Sequence, residues 1–435
     1  MLLGLVLLPG WAGADVFTVG AGGSHASIQS AINAALALNG GNHEIRIRQG
    51  VYFERPVVTL PLGTIELSGG WHPGFAQRTV DPANTQLVAL AAGRALEAVL
   101  SGSSRLTVSG MSITGGFLED ATGAGVGLLA QQTASAEFLD VRVALNQVRL
   151  TGGSGTNAGV GFFAALVENA RLTIERAHFE ENNVTADSQP AHGAVYLSLR
   201  FGSRVDLRDS VFARNRVAPG GANRTLALQA YALNARLGIE GNRFEDNVDA
   251  TSQQTVVDLQ VHGNSEIAFE RNRLSDNGQA LQLRAVVSDV QSVPMRIVGN
   301  LITGGGTGLV VAGAGATPPR VGWNTITGHS GFGIGPSSFI HWHNNIIVRN
   351  GTDAAPTPPF PDTNLTDIDP GFVAYSRGDH RLRSGSLGHD AGTPIIGWAA
   401  PTIDLDGVPR ASGLEVDIGA FEHDEDRLLF AGFED

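Results

Sequence analysis

An eleven-residue pattern returns along this chain about every thirty residues. Leu237–Asn247 reads LGIEGNRFEDN and Ile267–Asn277 reads IAFERNRLSDN. Earlier copies are LTIERAHFEEN from Leu172 and VDLRDSVFARN from Val205, and weaker ones begin at Leu106, Met295 and Phe339. Superposed on one apolar position, the copies give Ile113, Val143, Phe179, Phe212, Phe244, Leu274, Ile302, Ile326 and Ile347. The intervals run from 21 (326 to 347) to 36 (143 to 179) residues. A unit of this size cannot bury an apolar face alone and must stack on its neighbours.

Within each copy apolar and polar residues alternate, as in Leu237, Ile239 and then Phe244. That period of two belongs to strands, and no apolar stripe of period 3.6 lies between the copies. The intervals change by whole loops, which suits a coil with insertions at its corners. The pattern therefore predicts an all-β solenoid, a parallel β-helix with successive rungs ~4.8 Å apart. Asn146, Asn182, Asn215, Asn247, Asn277 and Asn350 follow the anchor by three residues, and Asn242, Asn272, Asn300, Asn324 and Asn345 precede it by two. Asn suits tight corners and its amide can bond rungs above and below. The alternative, sugar-binding amides, fits poorly with so regular a register. Gly305 and His329 interrupt the first row.

The composition restricts chemistry more than fold. A chain of 435 residues exceeds one ordinary globular domain, but a solenoid grows along its axis without splitting. There is no cysteine, hence no disulfide, thiolate metal site or thiol nucleophile. Every Lys/Arg-type cation is Arg, so lysine chemistry is excluded. A net charge of −13 argues against nucleic acid and anionic membranes as partners.

Five segments are expected. Residues 1–14 open with LLGLVLL and reach Ala12-Gly13-Ala14, the form of a signal peptide with its cleavage site; a buried first strand is the alternative. Residues 15–60 form an N-terminal cap and first rung: an amphipathic helix over Ser27–Leu38, capped by Ser24 or Ser27 and ended by Gly40, then strands around Gly50-x-Tyr52-x-Glu54. Residues 61–350 are the solenoid, with corner loops at Phe117–Gly125, Thr151–Gly159, Thr185–His192 and Ala218–Arg224. At 351–426 four prolines break the ladder and an irregular C-terminal cap follows, and 427–435, RLLFAGFED, is a short tail. No segment carries the ~20 apolar residues of a membrane span.

The strand–helix–strand order with Gly-x-Tyr-x-Glu resembles the N-terminal cap of the pectin-lyase-like superfamily, which implies a right-handed parallel β-helix. The Gly-Gly-Trp of residues 69–71, followed by Asp81-Pro-Ala-Asn, is similar to a corner insertion of bacterial β-helix surface proteins. Asp369-Pro-Gly-Phe and Asp417-Ile-Gly-Ala-Phe-Glu resemble the C-terminal part of bacterial choice-of-anchor Q proteins. In those proteins Pro-Ala-Ile is usual where Leu387-Gly388-His389 stands here.

Fold does not give function, so chemistry is sought residue by residue. The paired-carboxylate, Gly-His-Gly and Arg-Ile-Lys motifs of polygalacturonases are missing, as is the Asp-Phe-x-Phe-Gly block of pectinesterases. A pectate-lyase mechanism, with Ca²⁺-binding carboxylates and an Arg base, has less rigid motifs and stays open. The repeat alignment stacks charge beside the anchors: Glu180, Glu181, Arg214, Glu245, Asp246 and Asp276 after them, Glu175, Arg208, Glu240 and Glu270 on the strand before, and His178, Arg243 and Arg273 immediately preceding. One reading is an exposed ladder of compensating charges. The other is a carbohydrate-binding groove of Glu181, Arg243, Asp246, Arg273 and Asp276. His341 and His343 flank Trp342 and should point outward, without a third ligand in sequence. Asp362, Asn364, Asp367, Asp369 and Asp404, Asp406 are oxygen-rich turns that would suit Ca²⁺, though turn-forming Asp accounts for them without an ion. No metal ligand set and no required cofactor is assigned. The expectation is a secreted or cell-surface monomer, non-catalytic and adhesive or carbohydrate-binding. The alternative is a polysaccharide lyase or glycoside hydrolase acting on an acidic polysaccharide such as pectin.

Overall fold

The computed structural model describes residues 14–151, 159–186, 192–217, 224–248, 254–288, 293–313, 317–337, 340–354, 363–394, 398, 400–410 and 413–423. The expected signal peptide up to residue 13, most of the three later corner loops, Asp362 and the tail at 427–435 lie outside these residues. Among the described residues the chain winds as a parallel β-helix with three long sheets. Sheet A (twelve strands) includes Arg236–Glu240, sheet B (twelve) Arg243–Glu245 and sheet C (eleven) Gln254–His262. Each turn of the coil visits A, B and C in that order before the next A strand.

The register is the one the repeat predicts. In sheet B, Ile113 pairs with Val143, Val143 with Phe179, Phe179 with Phe212, Phe212 with Phe244 and Phe244 with Leu274. Ile302, Ile326 and Ile347 continue the row. All nine anchors are fully buried. The rings of Phe179 and Phe212 stack at 4.9 Å and those of Phe212 and Phe244 at 4.6 Å. Burying each such side chain contributes roughly 1.5–3 kcal/mol, repeated rung by rung.

Two corners obey one rule. A residue in the left-handed region turns the chain, and the next residue points inward. At the A–B corner Asp209, Gly241, Arg271, Gly299, Trp323 and Asn344 take positive φ. Ser210, Asn242, Asn272, Asn300, Asn324 and Asn345 follow them, with Asn364 ending the row, and each Asn amide donates to the next Asn: Asn242 Nδ2 to Asn272 Oδ1 at 3.0 Å, Asn272 to Asn300 at 3.1 Å, Asn300 to Asn324 at 2.9 Å. The same amides also donate to backbone carbonyls one rung back, such as Asn272 to Ile239 at 3.0 Å. After sheet B, Glu181, Arg214, Asp246 and Asp276 hold the left-handed position and Asn182, Asn215, Asn247 and Asn277 form the second ladder. Where Asn gives way to Gly305, Gln282 Oε1 accepts from Asn277 instead, at 2.9 Å.

The N-terminal helix spans Ile28–Leu36 and buries Ile28, Ala31, Ile32 and Ala35 against the first rungs. Ser27 caps it, in a reciprocal box with Ser30. The Glu of the Gly-x-Tyr-x-Glu stretch completes the cap: the Glu54 carboxylate accepts from the amides of Ile28 (2.7 Å) and Gln29 (3.0 Å). In the Gly-Gly-Trp insertion, a Cβ on Gly69 would lie 2.4 Å from the Gly110 carbonyl, so only glycine fits. Asp81 caps the 3-10 turn Pro82–Asn84.

Three expectations need correction. The loop expected at Phe117–Gly125 contains the strand Phe117–Glu119, which pairs with Gln147–Leu150 in a small fourth sheet; loop length hid that short alternation. The solenoid does not end at 350, because Thr352–Ala354 and Leu365–Thr366 still pair with sheets C and B. The C-terminal segment is not simply an end plug. It runs back along the outside of sheet B: the Ala420 amide donates to Thr325 (3.0 Å), Asn344 is bonded at both side-chain ends to Thr393, Trp398 packs edge-on against Trp323, and Asp406 binds Arg273.

Two variants test the corner rule. Asn272→Ala unpairs the amides and carbonyls it bonds, and each group left unpaired is expected to cost about 1–3 kcal/mol in chemical denaturation. Glu181→Gly relieves a left-handed non-glycine residue and is expected to be neutral or to stabilise by up to about 1 kcal/mol. A large loss from the glycine variant would mean Glu181 is held by something other than corner geometry.

Candidate functional site

The five residues expected to form a carbohydrate groove do not occupy one column. Glu181, Asp246 and Asp276 are the left-handed corner residues after sheet B. Arg243 and Arg273 are neighbours that each open a strand of that sheet, two and three strands from His178 through Val211. Glu175, Arg208, Glu240 and Glu270 form a separate outward column on sheet A. Most of these charges are paired: Arg243 with Glu245 at 2.8 Å, Arg214 with Glu180 at 3.2 Å, Glu270 with Arg296 at 2.7 Å. Exposed pairs of this kind are worth ~0–1 kcal/mol each. Glu180 is the tightest centre, its carboxyl held down to about 2 chiefly by the bond from His178, with Arg142 and Arg214 helping.

Arg273 and Asp276 do share a hollow. A cleft of about 760 Å³ opens between the outer side of sheet B and the C-terminal segment, with Ser275, Thr303, Tyr375 and His380 also in its wall. Its floor is glycine, at Gly278, Gly304, Gly305 and Gly328. Arg273 is anchored there by Asp406 and lies 5.6 Å from the Phe421 ring. His380 packs edge-on against Tyr375 at 5.3 Å, and burial lowers its pKa.

A second arrangement, on sheet C, was missed from the sequence. The outward column of that sheet reads Glu97, Gly127, Phe163, Tyr196, Gln229, Asp258, Arg284, Val310. An outward side chain of a solenoid normally meets water. Here Asp258 is 0% exposed and Gln229 5%. Arg284 holds Asp258 side-on, Nε to Oδ1 at 2.8 Å and Nη2 to Oδ2 at 2.7 Å. Gln260 donates to the same Oδ2 at 3.1 Å and Gln229 at 3.4 Å. The bond to Asp258 raises the Arg284 pKa further. Gln229 Oε1 has no hydrogen-bond donor among the described residues.

Aromatic rings continue this strip on one side. Phe163 and Tyr196 lie parallel, 1° between planes and 5.9 Å between centroids, and Tyr231 stacks on His262 at 4.7 Å. His192 stands 6.2 Å from the Tyr196 ring, and burial drives its pKa down to about 4, so the imidazole is neutral at neutral pH. Burial also raises the Tyr196 phenol, keeping it a hydrogen-bonding hydroxyl. The strip thus gathers aromatic faces, a neutral imidazole, a buried amide oxygen and an ion pair over four successive rungs. Its sequence signal was the register Tyr196, Gln229, Asp258, Arg284, spaced 33, 29 and 26 residues apart. Finding it requires aligning the part of each repeat that follows the variable corner.

The oxygen-rich turns behave as turns. Asp404 Oδ1 accepts from the amides of Asp406 (2.8 Å) and Val408 (2.7 Å), and Oδ2 from Glu422 (2.9 Å). Asp369 accepts from Gly371, and Asp367 takes the left-handed corner. His341 and His343 flank the buried Trp342 on a sheet A strand, as expected.

Among solved structures, the crystal structure of pectate lyase Pel9A is similar at 15% identity and a TM-score of 0.49, covering 95% of this chain and 98% of that one. A pectin methylesterase from Aspergillus niger is similar at 13% identity and a TM-score of 0.31, covering 70% of this chain and 87% of that one. No family model matches the sequence, and no curated protein does. The assignment as a parallel β-helix rests on the sheet registers themselves.

Proposed function

We propose that this chain is a secreted or cell-surface protein that binds polysaccharide along the outward face of sheet C. The observation that carries the reading is a built polar site on a face that should be solvated: Asp258 fully buried between Arg284 and two glutamines. Gln229 Oε1 is sealed from solvent, so Gln229 and Asp258 brace the site from behind, and the groups open to a sugar are Tyr196, Tyr231 and the Arg284 guanidinium. Tyr196 and Tyr231, on adjacent outward columns, offer flat faces for the apolar side of a pyranose ring, and their hydroxyls give it polar contacts. The strand spacing of ~4.8 Å is close to the length of one sugar unit, so a chain laid along the solenoid axis meets a new rung with each residue.

The alternative, a lyase or hydrolase of acidic polysaccharide, is less well supported. Glycoside hydrolysis needs two carboxyl groups ~5–9.5 Å apart. In the sheet C column the next carboxylate along from Asp258 is Glu97, five strands away, or roughly 24 Å at ~4.8 Å per strand. Among the described residues, the cleft beside Arg273 is walled by a single carboxylate, Asp276. The C-terminal resemblance to choice-of-anchor Q proteins supports attachment at the cell surface, and the form of Met1–Ala14 supports export. We read the protein as a monomer with no nucleic-acid partner.

Binding of neutral and uronate-containing polysaccharides, measured by calorimetry on the full chain, tests this. Tyr196→Ala and Gln229→Ala are each expected to weaken binding about tenfold or more, equivalent to ~1.4 kcal/mol, with the fold intact by circular dichroism. Unchanged affinity in both variants would remove sheet C as the site. Release of unsaturated or reducing ends, with or without Ca²⁺, would replace binding by the enzymatic alternative.

The pH dependence follows from His192. Its folded pKa of about 4 is below the ordinary 6.5, so the unfolded chain takes up a proton first on acidification. His192 should contribute full stability above pH 6.5 and lose it progressively from 6.5 down to about 4. Its ring resonances should stay unshifted between pH 8 and 5, so a midpoint near 6.5 would show that the imidazole is solvated.

A further inference from the structure

The C-terminal segment gathers His389, Asp390 and Asp417, residues that no expectation above combined. One ligand atom from each lies within 4.8 Å of the other two. Backbone amides preset both carboxylates. Asp417 Oδ1 accepts from the Asp390 amide at 2.7 Å and Oδ2 from the His423 amide at 2.6 Å. Asp390 Oδ1 accepts from Leu414 at 2.9 Å and Glu415 at 3.2 Å. Each Asp417 oxygen keeps a second lone pair, and on Asp390 it is Oδ2, the oxygen facing His389, that is left for a ligand. His389 Nε2 stands 3.6 Å from Asp390 Oδ2. That is too long for a hydrogen bond. It is close to the separation of two donors that each sit ~2.0–2.2 Å from one tetrahedral ion, roughly 3.4 Å.

Two independent observations point to a cation. His423 is 8% exposed, its ring lies 4.4 Å from that of His389, and its Nε2 has no hydrogen-bond partner among the described residues. The surroundings are also short of positive charge. Asp404, Asp417 and Glu422 are all buried, and among the described residues the buried Arg410 is the one guanidinium beside them, 3.8 Å from Glu422. Buried carboxylates without a counter-charge are costly.

We propose that His389, Asp390 and Asp417, with His423 beside them, form a divalent-metal site that takes Zn²⁺ in preference to Ca²⁺. Imidazole nitrogen with carboxylate oxygen suits Zn²⁺, whereas Ca²⁺ asks for six to eight oxygens. An ion there ties residue 389 to residue 417 and staples the two halves of the C-terminal segment together. The site is separate from the sheet C strip and does not depend on the carbohydrate reading.

The test uses the tag-free full chain, stripped with chelator and titrated with ZnCl₂ or CaCl₂ alone. Expected are one Zn²⁺ per chain by calorimetry and elemental analysis, a rise in Tm on adding Zn²⁺, and Ca²⁺ at least 100-fold weaker. His389→Ala should weaken Zn²⁺ binding about 100-fold while leaving the Tm in chelator unchanged. Asp390→Asn, which keeps the Oδ1 acceptor and suits the left-handed backbone at that position, should also weaken it and serves if His389→Ala does not fold. No Zn²⁺ uptake, equal or tighter Ca²⁺ binding, or unchanged Zn²⁺ affinity in the variant that folds overturns the proposal.

Discussion

Everything in this molecule depends on vertical register, and the stacked asparagines hold it. A coil of three sheets has to turn three times per rung, each turn leaves backbone groups without a sheet partner, and the two turns flanking sheet B recur at nearly the same place. Asn solves both problems at once. Its amide donates to the carbonyl of the rung behind and to the Asn oxygen of the rung ahead, as Asn272 does to Ile239 and Asn300. The residue before it absorbs the sharp bend in the left-handed region. A slip of one residue would put Phe212 and Phe244 in water and unpair the whole row, so the ladder and the aromatic stack enforce each other.

The same register generates the chemistry of the surface. Residues some thirty places apart become neighbours, so an outward column is a row of side chains drawn from many rungs. On sheet A that row is a lattice of exposed ion pairs such as Glu270–Arg296. On sheet C it becomes aromatic and then buried and polar, from Phe163 to Arg284. One scaffold thus carries a solvated face and a built face, and they differ only in which residues the coil brings into line. The C-terminal segment adds a third kind of surface by lying against sheet B, where it turns a flat face into a cleft.

Much of the fold was legible because its determinants are local and repeated. Nine aligned apolar positions, both Asn rows and the capping helix could be read without any long-range information. The candidate groove was legible only in part. Glu181, Asp246 and Asp276 share a sequence offset because they share a backbone conformation, and offset alone cannot separate a corner from a site. Arg273 and Asp276 come to line a cleft only because residues 375–380 are folded over them. The sheet C strip escaped notice since the corner loops before it differ in length, which destroys any fixed spacing from the anchors.

Sequence by itself determined the repeat, its period of two, the inward positions and the corner residues, because each follows from the preferences of a few adjacent side chains. Tertiary structure decided the rest: which outward residues meet across sheet C, that Asp258 is buried rather than exposed, and where the chain after residue 366 comes to lie. Those outcomes depend on loop lengths and on contacts between segments more than a hundred residues apart, such as Arg273 with Asp406, 133 residues on, and no local preference encodes a meeting at that distance.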